Sequence, residues 1–456
     1  VLENMNLEFL RNKKIAIVGL GAEGRALLDF FVRHKLTADV FDKRELSGAD
    51  LPDSAGKIIS GPDYLGSLKN YDIVFRSPGT SSLLPEIVEA KIAGVDISSL
   101  TKLFFRLCPC PIIGVTGTKG KGTTATLVHQ IFLADKRKTF LGGNIGKTSL
   151  EFLPELDEKS FVVLELSSFQ LADLEASPKF AVVLNITPDH QDYHKDTREY
   201  ISAKTNLVRH QKITDIAVLN ADYETSKSFA AATPAKKFWF STKATTEPGA
   251  FYSDGALYLK LKSEEVKLCD TDELALLGPH NLENILAAAL TAAVVGVKAK
   301  VISRAIKAYR GMAHHRLEFV AEVGKVEYYN DSASTTPAAA IAAIRTFSKP
   351  KIIILGGSEK GADFSSLAGE ISRQNVTGVI LSGETAEKIE KALIDAGFNG
   401  KIIKGVNNME EIVKTAVSLA EAGSVVVLSP ASASFGQFEN YQDRGEQFIK
   451  AVRKIK

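Results

Sequence analysis

The chain has 456 residues, 45% of them hydrophobic, and its 56 basic and 54 acidic side chains leave a formal charge of +2. That length predicts about two to four domains with sizeable cores, and the near-balance of charge gives no argument for nucleic acid or an anionic membrane surface as a partner. Cys108, Cys110 and Cys269 have neither disulfide-framework nor zinc spacing. Val1 to Lys14 lacks a long apolar core, and the longest apolar stretch, Ile285 to Val297, is too short to span a bilayer and reads as a buried helix. A cytoplasmic protein with reduced thiols is expected.

In chain order, Lys14 to Gly19 reads as a strand, Arg25 to His34 as a helix, and Asp39 to Phe41 and Tyr71 to Phe75 as further strands. This alternation predicts a parallel sheet. The turn from Gly19 to Gly24 fits G-x-G-x-x-G and Asp42 closes the next strand, which is a dinucleotide-type fingerprint in its expected context. It predicts a diphosphate-bearing ligand, although Glu23 within the loop makes NAD an uncomfortable guest. Ser77-Pro78-Gly79 reads as a loop at the same sheet end.

A second unit starts near Pro109 and Pro111. The segment from Pro111 to Thr124 carries the strongest signal in the chain: an apolar strand, the loop Gly117-Thr118-Lys119-Gly120, then Lys121, Gly122, Thr123 and Thr124. Glycines let the backbone approach a ligand closely, and backbone N–H groups at a helix start with a lysine beside them hold phosphate. The loop departs from G-x-x-x-x-G-K-[ST]. Val115 stands where the first glycine belongs, and Gly122 stands where a Mg²⁺-binding hydroxyl belongs, so Thr123 must supply that hydroxyl. A helix over Thr124 to Ala134 follows, then Gly142-Gly143-Asn144-Ile145-Gly146. Strands over Phe161 to Leu166, Phe180 to Ile186 and Ile216 to Asn220 come next, with a helix over Asp196 to His210 between the last two. Thr242 to Leu274 reads as a small β excursion, and Gly278 to Asn281 opens the helix of Glu283 to Val295. Beyond the hinge Arg310 to His315, strands at Val326 to Asn330, Lys351 to Leu355, Val379 to Ser382 and Ser424 to Leu428 alternate with helices at Pro337 to Thr346 and Ala386 to Ala396. The third unit therefore reads as a second doubly wound α/β fold.

Glu165 and His190 close strands of the unit that holds Lys121. In a parallel sheet those strand ends and the phosphate loop share one rim, where a carboxylate and an imidazole are candidate Mg²⁺ ligands. Lys204 lies mid-helix, a position that alone reads as a solvated face. Asn281 and Asn284, three apart at a helix start, share a face. Arg316 sits at the hinge and Asp331 at a strand end. Lys360 follows the Gly356-Gly357 turn, and Ser434 lies in a small-residue loop. Each of these, taken singly, also reads as an ordinary loop or surface residue.

The ordered set Gly117-Thr118-Lys119-Gly120-Lys121, Gly142 to Gly146, Glu165 to Gln170, Asn185 to His190, His280-Asn281 with Asn284, His315-Arg316, Asn330-Asp331-Ser332 and Ser429-Pro430-Ala431 resembles the Mur ligases of peptidoglycan synthesis across essentially the whole chain. Glu165 to Leu171, Leu355-Gly356-Gly357 leading to Lys360 and Ala362-Asp363-Phe364, and the tail Ser429 to Gly445 look most like the D-glutamate-adding branch. The resemblance implies an α/β protein of three domains: a Rossmann-like UDP-sugar-binding domain over 1–105, a central P-loop-type ATPase domain over 106–312 and a C-terminal Rossmann-like amino-acid-binding domain over 313–456. It implies ATP and Mg²⁺ as cofactors, UDP-N-acetylmuramoyl-L-alanine and D-glutamate as substrates, a monomer, and a role in cell-wall synthesis and so in cell shape and division. ATP contacts would come from Gly117, Thr118, Lys119, Gly120, Lys121, Gly122, Thr123, Asn281, Asn284, Arg316 and Asp331. The UDP-sugar-peptide would meet Gly21, Ala22, Glu23, Asp42, Lys43, Arg44, Ser77, Gly79, Asn144 and His190. D-Glutamate would lie among Thr335, Lys360, Ser434 and Tyr441. Thr123, Glu165, His190 and Lys204 would serve the metal, with Lys204 matching the lysine that the family carbamylates, and Lys121, Lys204, His190 and Glu165 would carry the catalysis.

Three positions depart from the family pattern: Lys119 replaces an asparagine, Gly122 a hydroxyl residue and Ala333 a lysine. The competing readings are a sister ligase with another amino-acid acceptor, folylpolyglutamate synthase, an NAD-dependent oxidoreductase resting on Gly19 to Gly24 and Asp42, and a non-catalytic nucleotide-sugar sensor. The oxidoreductase reading leaves Lys121, Glu165 and His190 unexplained.

Overall fold

A computed structural model describes residues 7–46, 56–145, 147–189, 193–245, 248–262, 264–274, 276, 278–309, 317–359, 361–406, 408–434 and 436–455. The chain divides into two compact units, one of Val1–Thr271 with Leu282–Ile306 and one of Asp272–Asn281 with Lys307–Lys456.

The first unit contains two sheets. The smaller runs, edge to edge, Ile58–Ser60, Ala38–Asp42, Ile15–Val18, Ile73–Arg76, Asp96–Ser98, with every pairing parallel. The strand order reverses at Ile15–Val18, so the turn that follows it is the crevice where open α/β sheets bind ligands. That strand is buried at all four positions, as expected when helices cover both faces. The helix Ala22–Arg33 buries Gly24, Ala26, Leu27, Leu28, Phe30 and Phe31 against it. The larger sheet has nine strands. Its parallel part runs Thr139–Gly143, Phe161–Glu165, Ile112–Thr116, Phe180–Val183, Ile216–Asn220, Lys236–Ser241, Gly249–Ser253, and the antiparallel strands Ala256–Lys260 and Glu265–Asp270 complete it. One apolar cluster links the two sheets of this unit. In it, Phe104 of the helix Leu100–Leu107 meets Phe152 edge to face with ring centroids 5.8 Å apart.

The second unit has a six-stranded sheet in the order Glu318–Val323, Val326–Asn330, Val425–Leu428, Lys351–Gly356, Val376–Ser382, Lys401–Ile403. The first of these is antiparallel to its neighbour, so the sheet is mixed at that edge rather than parallel throughout. The hairpin turn Gly324-Lys325 is short enough to forbid a parallel return.

Among the elements the sequence reading did not name are the short strands Ile58–Ser60 and Asp96–Ser98, the strands Thr139–Gly143, Lys236–Ser241 and Glu318–Val323, and the helices Pro85–Ile92, Leu100–Leu107, Met409–Leu419 and Tyr441–Arg453. Three-residue strands carry too few alternations to register. The helix after the phosphate loop begins at Lys121, three residues earlier than read, because Gly120 takes a left-handed φ of 84° and turns the chain directly into the helix.

Gly24 decides how closely the helix Ala22–Arg33 packs on its strand, since a Cβ there would lie 2.1 Å from Gly19 O. Gly24→Ala is expected to cost about 1–3 kcal/mol, seen as a lower urea midpoint. Gly21→Ala, where a Cβ meets nothing within 4 Å, should leave the midpoint unchanged.

Candidate active site

The strand Ile112–Thr116 is buried along its whole length and delivers the chain into the phosphate loop. Gly117 is required by space, since a Cβ would press on Leu184 Cβ at 2.8 Å. Gly120 is required twice, by its left-handed backbone and by Asn284, whose Oδ1 would lie 2.0 Å from a Cβ. The loop is splinted from the neighbouring strand end. Asn185 O accepts from Thr118 N at 2.7 Å, Asn185 Oδ1 accepts from Lys119 N at 3.0 Å, and Thr118 Oγ1 donates to Thr187 O at 2.9 Å. Because the helix Lys121–Ala134 is capped by a glycine with no side-chain cap, its N-terminus presents backbone amides and a positive dipole end to the loop. Lys121 Nζ donates to the loop carbonyls of Gly117 at 3.1 Å and Thr118 at 3.0 Å. Thr123 is half-buried in the first turn, and Lys119 is exposed.

Lys204 is not on a solvated face. It is 2% exposed, because its helix Thr197–Arg209, capped by Asp196, turns Tyr200, Ala203, Lys204, Leu207 and Val208 inward at helical spacing. Its amine donates to Gly117 O at 2.9 Å and Thr116 Oγ1 at 3.3 Å and lies 4.8 Å from the centre of the Tyr200 ring. Burial, reinforced by the Lys121 ammonium, pushes the amine well below the ordinary lysine range against the pull of Asp189 and Glu165. Glu165, 5% exposed at the end of its strand, accepts from Asn144 Nδ2 at 3.3 Å, while Asn144 N donates to Glu165 O at 2.9 Å. Phosphate loop, Lys204 and Glu165 thus share one rim.

Asn284, 3% exposed, packs on Gly120 and lies 3.4 Å from Thr124 Oγ1, while Asn281, 5% exposed, sits in the first turn of the helix Pro279–Val294. The sequence reading overlooked Glu283 between them. Its carboxylate accepts from Asn220 Nδ2 and Tyr223 OH, each at 3.1 Å, and burial raises its pKa above the usual carboxylate range. His190, Arg316, Lys360 and the hinge Arg310 to His315 lie outside the described residues.

At the turn of the smaller sheet, Asp42 is already engaged. It accepts from Leu20 N at 2.7 Å and from Arg44 Nε and Nη2 at 2.9 and 2.8 Å, and the paired Arg44 guanidinium holds its carboxyl far below the usual range. Ser77 Oγ donates to Gly19 O at 2.6 Å. Gly21, Ala22, Lys43 and Gly79 are exposed around this turn. Glu23 reaches Gln170 of the short helix Ser168–Leu171, accepting from its Nε2 at 2.7 Å, and burial raises its pKa. Its other oxygen is buried without a partner. Arg76, 1% exposed, lies 3.3 Å from Asp173 Oδ1 and donates to Thr80 O and Tyr193 OH. Sequence reading assigned Arg76, Asp173 and Gln170 no part in this contact.

In the second unit, Asp331 is 4% exposed and accepts from Ser429 Oγ at 2.7 Å and Leu317 N at 3.1 Å. Thr335 is half-buried, Ser434 is 4% exposed, and Tyr441 opens the helix Tyr441–Arg453 at 39% exposure. The organising residue here is Arg444, quoted in the tail motif but given no role. Buried at 2% exposure, it donates to Ser332 O and Oγ, Ser432 O, Gly356 O and Ala433 O, and so ties three loops together. Burial lowers its pKa to about 10. Ser358 Oγ and Gln437 Oε1 are buried nearby without partners.

Models of Mur ligase domains match three successive segments. The "Mur ligase MurD-like, N-terminal domain" matches residues 13–99, the "Mur ligase middle domain" 115–292, and the "Mur ligase, glutamate ligase domain" 315–432. The chain belongs to the Mur ligase family. It is 38% identical to the UDP-N-acetylmuramoylalanine–D-glutamate ligase of Acetivibrio thermocellus over 98% of this chain and 97% of that one. It is 37% identical to the enzyme of that name from Symbiobacterium thermophilum over 97% and 98%. Among solved structures, the fold is similar to UDP-N-acetylmuramate-alanine ligase of Thermotoga maritima, with a TM-score of 0.58 at 18% identity covering 98% of this chain and all of that one. No described helix of this Mur ligase is long and apolar enough to cross a membrane.

The folded-state pKa of Lys204 is depressed. Below the ordinary lysine value near 10.5, the unfolded chain therefore holds the proton more firmly than the folded one. Lys204→Met removes that cost. We expect the variant to be more stable at neutral pH by about 1 kcal/mol, with the gain shrinking as pH rises toward 10.5, read from urea midpoints across that range. A variant less stable than wild type at neutral pH would contradict this electrostatic account.

Proposed function

We propose that this Mur ligase joins D-glutamate to UDP-N-acetylmuramoyl-L-alanine at the expense of ATP, through an acyl phosphate, in peptidoglycan precursor synthesis. The observation that carries the reading is the shared rim: Lys121, the Lys204 amine on Gly117 O, and Glu165 converge on one phosphate loop. Near-full-length identity to D-glutamate ligases and the tail Ser429 to Gly445 support the acceptor. Domains over 1–105, 106–312 and 313–456 would bind UDP-sugar, ATP and amino acid, and the protein would act as a monomer in the cytoplasm.

The residues fit Mg²⁺. Glu165 is a nearly buried carboxylate with one oxygen directed at an amide, and Mg²⁺ typically takes one or two carboxylates with phosphate oxygens and waters. Glu165, the Thr123 hydroxyl and His190 would hold it, and when bound it neutralises charge on the triphosphate. Lys204 would add a further anion. A neutral amine attacks carbon dioxide and loses a proton to give a carbamate, and the burial that lowers the Lys204 pKa favours the neutral form that attacks.

A carboxylate is a poor acyl donor because it would have to expel oxide or hydroxide. The chain's task is to hold the L-alanyl carboxylate in line with the γ-phosphorus while Lys121, released from Gly117 O and Thr118 O, neutralises the transferring phosphoryl group. ADP departs and the acyl phosphate remains. The free amine of D-glutamate attacks its carbonyl carbon, a tetrahedral adduct collapses, and phosphate leaves with the new amide formed. Asn281, Asn284, Arg316 and Asp331 would position the nucleotide. Thr335, Lys360, Ser434 and Tyr441 would position D-glutamate, whose polar groups could satisfy Ser358 Oγ and Gln437 Oε1.

The test is phosphate release from ATP and Mg²⁺ with UDP-N-acetylmuramoyl-L-alanine and a panel of amino acids. Release with D-glutamate is expected; release only with another acceptor overturns the substrate, and none with any acceptor favours a nucleotide-sugar sensor. Lys204→Ala should lower kcat by about a hundredfold or more, with partial recovery on adding short carboxylic acids. Full activity in that variant refutes the carbamate.

A further inference from the structure

Outside the active site, the chain places two thiols in contact. Cys108 Sγ and Cys110 Sγ are 3.6 Å apart, both half-buried, on the link between the helix Leu100–Leu107 and the strand Ile112–Thr116. Cys108 has φ −66° and ψ 119°, the extended conformation that a following proline imposes. In extended chain, side chains two apart point to the same side, so Pro109 holds both sulfurs on one face of the link. Cys269, by contrast, is 2% exposed within the strand Glu265–Asp270. No group of three or more His, Cys, Asp or Glu side chains that could hold a metal gathers among the described residues.

We propose that Cys108 and Cys110 form a redox modification site that closes to an intramolecular disulfide by exchange with a small-molecule or protein disulfide. Contact with Cys110 makes Cys108 the more acidic thiol and makes Cys110 resist ionisation, so Cys108 is the attacking thiolate. Its sulfur bonds to one sulfur of R–S–S–R and expels R–S⁻, which takes up the proton Cys108 gave to solvent. Cys110 sulfur then attacks Cys108 Sγ, the mixed disulfide breaks, and the second R–S⁻ leaves with the Cys110 proton. Two protein thiols are oxidised and one disulfide is reduced to two R–SH. The sulfurs must close from 3.6 Å to about 2.05 Å. The strand pairing starts one residue on, where Val162 N donates to Pro111 O at 3.1 Å, and the strand Ile112–Thr116 leads into Gly117. We expect a pull on Cys110 to be passed along this strand to the phosphate loop and ligation to slow about tenfold. This effect on rate rests on the proposed ligase reading; the disulfide itself does not.

The test uses the whole reduced protein with excess oxidised glutathione, followed by thiol titration after denaturation and by intact mass. We expect thiols to fall from three to one, with a mass lower by two hydrogens and no glutathione adduct. In Cys110→Ser, glutathione should remain on Cys108. Retention of three thiols while an unfolded control is oxidised overturns the site, as does a lasting adduct on wild type. Ligation should slow on oxidation, recover with dithiothreitol, and be indifferent in the Cys108→Ser/Cys110→Ser protein. Disulfide closure with unchanged rate overturns the coupling to the loop alone. Absence of ligation even in the reduced protein overturns the ligase reading and leaves the modification site standing.

Discussion

An amine buried against the phosphate loop, where burial and the Lys121 ammonium outweigh the pull of both nearby carboxylates, is the constraint on which the rest of this structure depends. Lys204 donates to Gly117 O from a site that is 2% exposed. Holding an ammonium there would cost several kcal/mol without a close partner. The fold accepts that cost at the point where the strand Ile112–Thr116 becomes the loop, and it surrounds the amine with Tyr200, Thr116 and the helix Thr197–Arg209. A merely structural core would place methionine or leucine there. A buried amine beside a second lysine and a carboxylate, its pKa lowered by burial, marks a candidate functional arrangement.

Around it, the loop is shaped more by its neighbours than by its own side chains. Asn284 requires glycine at 120, Leu184 requires glycine at 117, and Asn185 and Thr187 hold Thr118 and Lys119. These splints keep the loop amides in place before any ligand arrives, so little reorganisation is needed when phosphate binds. The same economy appears in the second unit, where Arg444 ties the turns at 332, 356 and 432–433 through their carbonyls and the Ser332 hydroxyl.

Much of this was legible in the sequence. The phosphate loop, both doubly wound patterns and the family likeness follow from local residue order: strand, glycines, lysine, helix. Glu165 at its strand end was legible too, because parallel sheets bring strand ends to one rim. What escaped was what depends on long-range packing. The burial of Lys204 is one such feature: its mid-helix position alone read as a solvated face, and it was the family likeness that gave it a part at the metal. Asp42 read as the acidic end of a dinucleotide-type fingerprint, and only the folded chain shows Arg44, two residues on, paired with its carboxylate. Glu23 read as a misfit in a phosphate turn, but it reaches Gln170, 147 positions later. Arg76 and Arg444 looked like ordinary charges, and only the folded chain shows how fully they are buried.

The claim that a carboxylate is activated by phosphoryl transfer has a direct chemical signature. With UDP-N-acetylmuramoyl-L-alanine carrying oxygen-18 in its free carboxylate, turnover in the presence of ATP and D-glutamate should move one labelled oxygen into the released inorganic phosphate for each amide formed. Phosphate that forms at the rate of ligation but carries no label would contradict an acyl phosphate, and with it the account of this rim.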